Sequence, residues 1–126
     1  MFFKIFSILS VILMLLSCSK DQPVYKATEK TNPYTLYNEG YDAFEINDFF
    51  NASKKFSEAE LNFKVVEHAA KSSIMSSYAL YGINFYGQAL ENLERYLKKY
   101  PADKNVIYAH YLIAIIHYEQ ISDEKK

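Results

Sequence analysis

Residues 88–101 read Gln-Ala-Leu-Glu-Asn-Leu-Glu-Arg-Tyr-Leu-Lys-Lys-Tyr-Pro and decide which fold the chain can form. Apolar side chains recur every three or four residues through this region, at Phe85, Ala89, Leu93, Tyr96 and Tyr100. This spacing places them on one face of an α-helix. The following Pro101 lacks the amide hydrogen that another helical turn would need, so we predict that the helix ends at Tyr100.

The same pattern occurs 37 residues earlier in the chain, where Ala52 corresponds to Ala89 and the turn residue Asn47 corresponds to Asn84. Small residues keep this interval at three positions, which are Gly40, Ser77 and Ala114. Helix pairs that recur at a fixed interval are typical of a solenoid, and the order of small and large side chains fits a tetratricopeptide repeat. The alternative is an unrelated helical bundle with chance periodicity.

We therefore predict an all-α fold, a tetratricopeptide-type helical-hairpin solenoid of about two and a half repeats after a lipoprotein signal peptide. The repeats cover residues 33–66, 67–103 and 104–126, and the last is incomplete. Asn32 before Pro33 is a good helix start, and Asp48 can cap the second helix. The remaining predicted helices cover about residues 33–46, 67–81 and 104–120, and Asp103 can cap the last one.

The N-terminus is typical of a targeting segment rather than of the fold. Lys4 precedes an apolar run of twelve residues, 5–16. That run is too short to span a bilayer, which needs about 20 residues, but it suits a secretory signal peptide over residues 1–17. We expect the polar residues 18–32 to form a flexible periplasmic tether.

The sequence Leu15-Leu16-Ser17-Cys18 resembles a bacterial lipobox, in which the signal peptidase cuts before the cysteine and its thiol carries diacylglycerol. Cys18 is the only cysteine of the chain, which excludes an internal disulfide. The alternatives are a buried free cysteine or an ordinary cleavage site. Ser19 rather than Asp follows Cys18, which favours the periplasmic face of the outer membrane. Several acyl chains would hold the protein there stably, where one alone would not.

Other kinds of chemistry find little support in the sequence. The chain has 14 Lys and Arg residues and 15 Asp and Glu residues, so its net charge is −1. It lacks the excess of positive charge that is typical of nucleic-acid-binding proteins. The three histidines, His68, His110 and His117, lack further ligands at metal-binding spacing. We expect no cofactor apart from the covalent lipid on Cys18, no catalytic residue and no enzymatic activity. Charged residues four apart, Glu91 with Arg95 and Glu94 with Lys98, predict solvated ion pairs.

The chain contains 12 tyrosines and 9 phenylalanines, and the repeat offers an explanation. In such solenoids the first helix of each pair lines a concave face. The inward positions here would be Tyr37, Tyr41, Phe44, Ile74, Tyr78, Tyr81, Tyr111, Ile115 and Tyr118. An aromatic groove of this kind suits an extended peptide with aromatic or apolar side chains. The alternative is that these tyrosines only pack between helices.

Three segments resemble the BamD family, also called ComL or YfiO: residues 36–40, 88–101 and 106–112. The resemblance implies a lipoprotein scaffold within the outer membrane β-barrel assembly machinery. It implies unfolded outer membrane protein precursors as partners, bound through aromatic-ended C-terminal signals by the N-terminal repeats. It also implies contact with the barrel subunit BamA, mainly through C-terminal repeats.

The fifth predicted helix is too apolar to face water all round, whereas a solenoid end needs a polar capping helix. We therefore expect the chain to be an N-terminal fragment of a longer protein, or the product of a truncated gene model. Three other functions remain open. They are an adaptor for cell-wall enzymes, a lipid-anchored hydrolase with its catalytic half further along, and a purely structural tether.

Overall fold

The computed structural model describes the backbone of residues 32–123 and the side chains up to Ser122. The predicted signal peptide, Cys18 and the tether up to Thr31 lie outside the described residues. The described part consists of five helices and contains no strand. They are α1 (Pro33–Glu45), α2 (Phe49–Asn62), α3 (Val66–Gly82), α4 (Tyr86–Lys99) and α5 (Val106–Asp123). The predicted all-α fold of tetratricopeptide-like helical hairpins is confirmed.

Each helix packs against the next one along the chain. Because short loops join them, neighbouring helices run antiparallel. Helix α3 lies between α2 and α4, and this position explains its composition. It buries small side chains on both sides, namely Ala69, Ala70, Ser72, Ser73, Ser76, Ser77 and Ala79. The large core side chains come instead from its neighbours, with Phe56 on α2 and Leu93 on α4 fully buried.

Two predicted helix starts are confirmed. The Asn32 side chain accepts a hydrogen bond from the Tyr34 amide at 2.9 Å, with Pro33 in the first turn. The Asp48 side chain accepts from the Asn51 amide at 3.3 Å. Each bond satisfies a donor that the first helical turn leaves without a backbone partner.

The predicted start of the fifth helix is wrong by two residues. Helix α5 begins at Val106 rather than at about Lys104, so Asn105 and not Asp103 directly precedes it. The Asp103 carboxylate instead accepts from the Asn105 amide at 2.9 Å and from the Tyr96 hydroxyl. Asp103 thus holds the turn before α5 against the last turns of α4.

The predicted pairing of Glu91 with Arg95 is also wrong. The Arg95 guanidinium reaches across to Glu60 of α2, with Nη1 3.1 Å from Oε1. The Glu60 carboxylate is 1% exposed and also accepts from Lys99 at 3.2 Å and Tyr100 at 2.9 Å. This cluster joins the second helix of repeat one to that of repeat two, so a tertiary contact overrides the local i, i+4 spacing.

Candidate peptide-binding groove

A groove of about 660 Å³ opens between α1, α3 and the start of α5. Its lining comprises Phe44, Glu67, His68, Lys71, Ile74, Met75, Tyr78, Lys104, Asn105 and Tyr108. The first helices of the three repeats supply most of these residues, since α1, α3 and α5 lie side by side on this face. The groove therefore lies on the surface that the repeat pattern assigns to ligands.

Tyr78 is the centre of the aromatic lining. Its ring centroid lies 5.6 Å from that of Phe44, 6.2 Å from that of Tyr81 and 6.3 Å from that of Tyr108. Aromatic pairs attract each other over such distances, and the contacts fix the rings in place. Tyr78 stays 38% exposed. The result is a preformed aromatic surface that reaches from repeat one to repeat three.

The nine residues that the sequence predicts for the groove do not all lie in it. Phe44, Ile74 and Tyr78 line it, and Tyr81 supports Tyr78 from outside. Ile74 also belongs to the buried core, so most of its side chain is committed to packing.

Tyr37 lines a second, smaller cavity of about 180 Å³, which it shares with Tyr34, Phe63, His68 and Lys71. Because His68 and Lys71 line both cavities, they form the wall between them.

The other predicted groove residues lie outside both cavities. Tyr41 is an exposed residue of α1. On α5, Tyr111 contacts Tyr108, with their ring centroids 6.3 Å apart, and Ile115 is partly buried. Tyr118 is 71% exposed. The predicted stripe is thus divided between two cavities and an open helix face.

Sequence reasoning missed several lining residues, and for two of them a signal existed. Lys71 and Tyr108 follow Tyr34 at intervals of 37 residues, so the repeat itself marks this position as one that faces the groove. Lys104 and Asn105 come from the turn before α5, where helical periodicity carries no information.

Basic side chains surround the aromatic lining. The Lys71 ammonium lies 5.3 Å from the centroid of the Tyr37 ring, a cation–π distance. Lys104 binds Glu67 at 2.7 Å, and this contact lowers the pKa of Glu67 and raises that of Lys104. Burial raises the pKa of Tyr108, so its phenol stays neutral in the groove. The arrangement can accept aromatic side chains in the groove and a negative group beside Lys71.

Two further observations concern the described residues alone. No three His, Asp or Glu side chains in this part of the chain come together as a metal site. None of the five helices is both long enough and apolar enough to cross a membrane.

Comparison with known proteins places this fold in a family. The family YfiO, described as outer membrane lipoprotein, matches residues 29–126. The chain is 34% identical over 88 residues to the Caulobacter vibrioides protein named outer membrane protein assembly factor BamD, a match that covers 70% of this chain and 29% of the relative. No solved structure gives a significant match.

Two further relatives carry the same name. The protein of Rickettsia prowazekii is 29% identical over 89 residues, which cover 71% of this chain and 36% of the relative. The protein of Neisseria meningitidis serogroup A is 28% identical over 120 residues, which cover 93% of this chain and 45% of the relative. The chain thus spans less than half the length of the curated relatives that it matches. Since the family match covers all five helices, the chain belongs to the YfiO family of outer membrane lipoproteins.

Proposed function

We propose that this chain is a lipid-anchored scaffold subunit of an outer membrane β-barrel assembly complex. It binds precursor peptides and partner subunits such as BamA, so that β-barrel proteins insert into the outer membrane. The lipid on Cys18 holds it at the periplasmic face of that membrane. The observation that carries the proposal is the aromatic groove around Tyr78 in a chain of this family.

The groove favours an extended peptide as its ligand. In an extended chain, alternate side chains point the same way about 7 Å apart. The aromatic rings around Tyr78 offer successive contacts of similar spacing, at 5.6 Å to Phe44 and 6.3 Å to Tyr108. Lys71 in the wall of the groove attracts a peptide carboxylate. A precursor segment that ends in an aromatic residue supplies both features.

A peptide-binding measurement tests the groove directly. We expect Tyr78→Ala with Tyr108→Ala to weaken binding of an aromatic-ended β-barrel precursor peptide at least about tenfold, because hot-spot tyrosines contribute well over 1 kcal/mol each. The matched control is Tyr118→Ala, an exposed tyrosine outside both cavities. A second control is the same peptide with serine in place of its last aromatic residue. Unchanged affinity in a double variant of native helicity would contradict the proposal.

Partners and anchor need separate measurements. Affinity purification of the tagged protein from detergent-solubilised membranes, followed by mass spectrometry, should recover the barrel subunit and its associated proteins. Recovery of cell-wall enzymes without those subunits would instead support an adaptor function. The mass of the peptide that contains Cys18 shows whether the thiol is acylated, and Cys18→Ser should release the protein from membranes.

A further inference from the structure

The helix ends form two opposite edges of the solenoid, and one of them includes Asn32, where the predicted tether enters the fold. We call it the tether edge, made of the start of α1, the segment 61–67 that joins α2 to α3, and the segment 98–105 that joins α4 to α5. Two contacts show that these parts are neighbours. The Tyr34 ring lies 5.0 Å from that of Phe63, and Lys104 binds Glu67 at the start of α3 at 2.7 Å.

The tether edge combines exposed apolar side chains with lysines. Leu61, Val65 and Val66 are exposed, and Val66 is 68% exposed. The lysines on or next to this edge are Lys64, Lys98, Lys99 and Lys104. The acidic groups of these two segments have partners within the fold, Glu67 with Lys104 and Asp103 with Tyr96. Of the lysines, Lys104 is thus paired with Glu67, and Lys99 binds Glu60.

The opposite edge is also apolar, but the charged residues in and beside its two described loops are acidic. It exposes Ile46, Phe50 and Phe85, and Ile46 is 75% exposed. Its loops at 46–48 and 83–85 contain no lysine or arginine, and Asp42, Glu45 and Asp48 lie in or beside the first of them. Exposed apolar area alone therefore does not distinguish the edges, whereas charge and the position of Asn32 do.

We propose that the tether edge rests on an anionic lipid surface. Val65 and Val66 would enter the boundary between headgroups and acyl chains, where exposed apolar side chains are stable. The stems of the exposed Lys64 and Lys98 would follow them while their ammonium groups bind lipid phosphates. The opposite edge would face away, because its carboxylates would be repelled. This inference rests on the lipid anchoring proposed above for Cys18.

The tether alone does not impose this contact. A segment as long as residues 18–32 could span up to about 50 Å if extended, so its length alone does not decide which edge meets the membrane. An edge that binds the headgroups would fix the orientation of the solenoid. The groove would then open beside the membrane, since Glu67 and Lys104 belong both to its lining and to the tether edge.

Single tryptophans can measure the orientation, because the natural sequence contains none. The chain from Cys18 onward, which includes every described residue, is coupled through Cys18 to maleimide lipid in vesicles of phosphatidylcholine with phosphatidylglycerol. This coupling supplies the anchor whether or not cells acylate Cys18, so failure of the proposed anchor and failure of the edge contact give different results. The paired variants are Val66→Trp on the tether edge and Ile46→Trp on the opposite edge, at sites of similar exposure.

We expect brominated lipid to quench the tryptophan at position 66 about threefold more than that at position 46, because quenching needs contact with the acyl boundary. Equal quenching, or stronger quenching at position 46, would overturn the proposal.

A second measurement tests the charge. The chain from residue 18 onward, with Cys18→Ser so that no lipid is attached, is mixed with vesicles that contain or lack phosphatidylglycerol. Sedimentation measures the fraction of protein bound to the vesicles. Lys64→Gln should reduce partitioning onto anionic vesicles about fivefold, as expected for one lysine near such a surface. Lys54→Gln, on the exposed side of α2, should leave it unchanged. Equal effects of the two substitutions would count against the tether edge, as would binding that does not depend on phosphatidylglycerol.

Discussion

Asn47 and Asn84 lie 37 residues apart and adopt the same left-handed backbone conformation, each with a φ of 61°. The hydrogen bonds around them match as well. The amide of Asp48 donates to Ala43 O at 2.9 Å, and the amide of Phe85 donates to Leu80 O at the same distance. Such bonds end a helix when the residue between is left-handed, a conformation that asparagine tolerates better than most residues. The 37-residue repeat is thus present in the backbone conformation as well as in the side-chain types.

Substitution of Asn47 tests this turn. Asn47→Ala should destabilise the fold by about 1 kcal/mol, because a Cβ without a compensating polar group is strained at positive φ. Asn47→Gly should cost nothing measurable at the same site. Urea denaturation of the two variants and the parent gives the comparison. Equal stability of the alanine and glycine variants would show that the left-handed conformation at position 47 does not limit which residue is tolerated there.

Gly40 marks a close approach between α1 and α2. A Cβ built on Gly40 would lie 3.0 Å from two atoms of the buried Phe56 ring, whereas one on Gly87 would meet nothing within 4 Å. Gly40→Ala should therefore destabilise by about 1–3 kcal/mol through overpacking. The control Gly87→Ala should stabilise by about 0.4–1 kcal/mol, because alanine restricts the unfolded chain.

The repeat also suggests a rescue. The corresponding pair in repeat two is Ser77 and Leu93, both fully buried. Gly40→Ser combined with Phe56→Leu should therefore lose less stability than the sum of the two single variants, as contacting residues do when they compensate. A double-mutant cycle from denaturation midpoints measures this. If the stability losses of the two single variants simply add in the double variant, the side chains at positions 40 and 56 do not constrain each other's size.

The fold was largely predictable because its determinants are local and repeated. Periodic apolar residues gave the helices, and the interval between Asn47 and Asn84 gave the hairpins. The partner of Arg95 was not predictable, since α2 supplies it from 35 residues away. Only part of the groove was predictable, because the positions chosen from the repeat omitted the one occupied by Lys71 and Tyr108. The turn that carries Lys104 has no periodic signal at all.

The buried carboxylate of Glu60 should matter far more than an exposed one. It accepts hydrogen bonds from Arg95, Lys99 and Tyr100, and Glu60→Ala removes them all. Because both cations keep access to water, we expect a loss of about 1–3 kcal/mol rather than the full cost of an unpaired buried charge.

The control is Glu39→Ala, which breaks an exposed ion pair with Lys55 at 2.6 Å and should cost less than about 1 kcal/mol. Similar losses in thermal denaturation for both variants would mean that the Glu60 cluster adds no more than a surface pair.

The Tyr96–Asp103 contact predicts a pH dependence. Burial alone would raise the pKa of Asp103, but hydrogen bonds from Tyr96 and Asn105 hold that pKa below its usual value. Because the unfolded chain has the higher pKa, about 3.9, this carboxylate stabilises the fold above that pH. The contribution is lost as the pH falls through the folded-state pKa.

Tyr96→Phe should raise the pKa of Asp103 towards its ordinary value. Carboxyl ¹³C chemical shifts followed against pH measure it, and Asp103→Asn identifies the resonance. An unchanged midpoint in Tyr96→Phe would show that the phenol does not stabilise the carboxylate.

Two serines on α3 should respond to the same substitution in opposite directions. Both are fully buried, but the Ser73 hydroxyl has no hydrogen-bond partner among the described residues. The Ser76 hydroxyl donates to Ser53 O at 3.0 Å and lies 2.8 Å from the Ser57 hydroxyl. Ser73→Ala should raise the free energy of unfolding by up to about 1 kcal/mol, since it removes a buried polar group that gains nothing in return. Ser76→Ala should lower it by about 1 kcal/mol, because it breaks a bond between α2 and α3. Guanidinium denaturation of the two variants and the parent measures both changes. A loss of stability in Ser73→Ala would mean that the Ser73 hydroxyl has a hydrogen-bond partner in solution, for example a buried water.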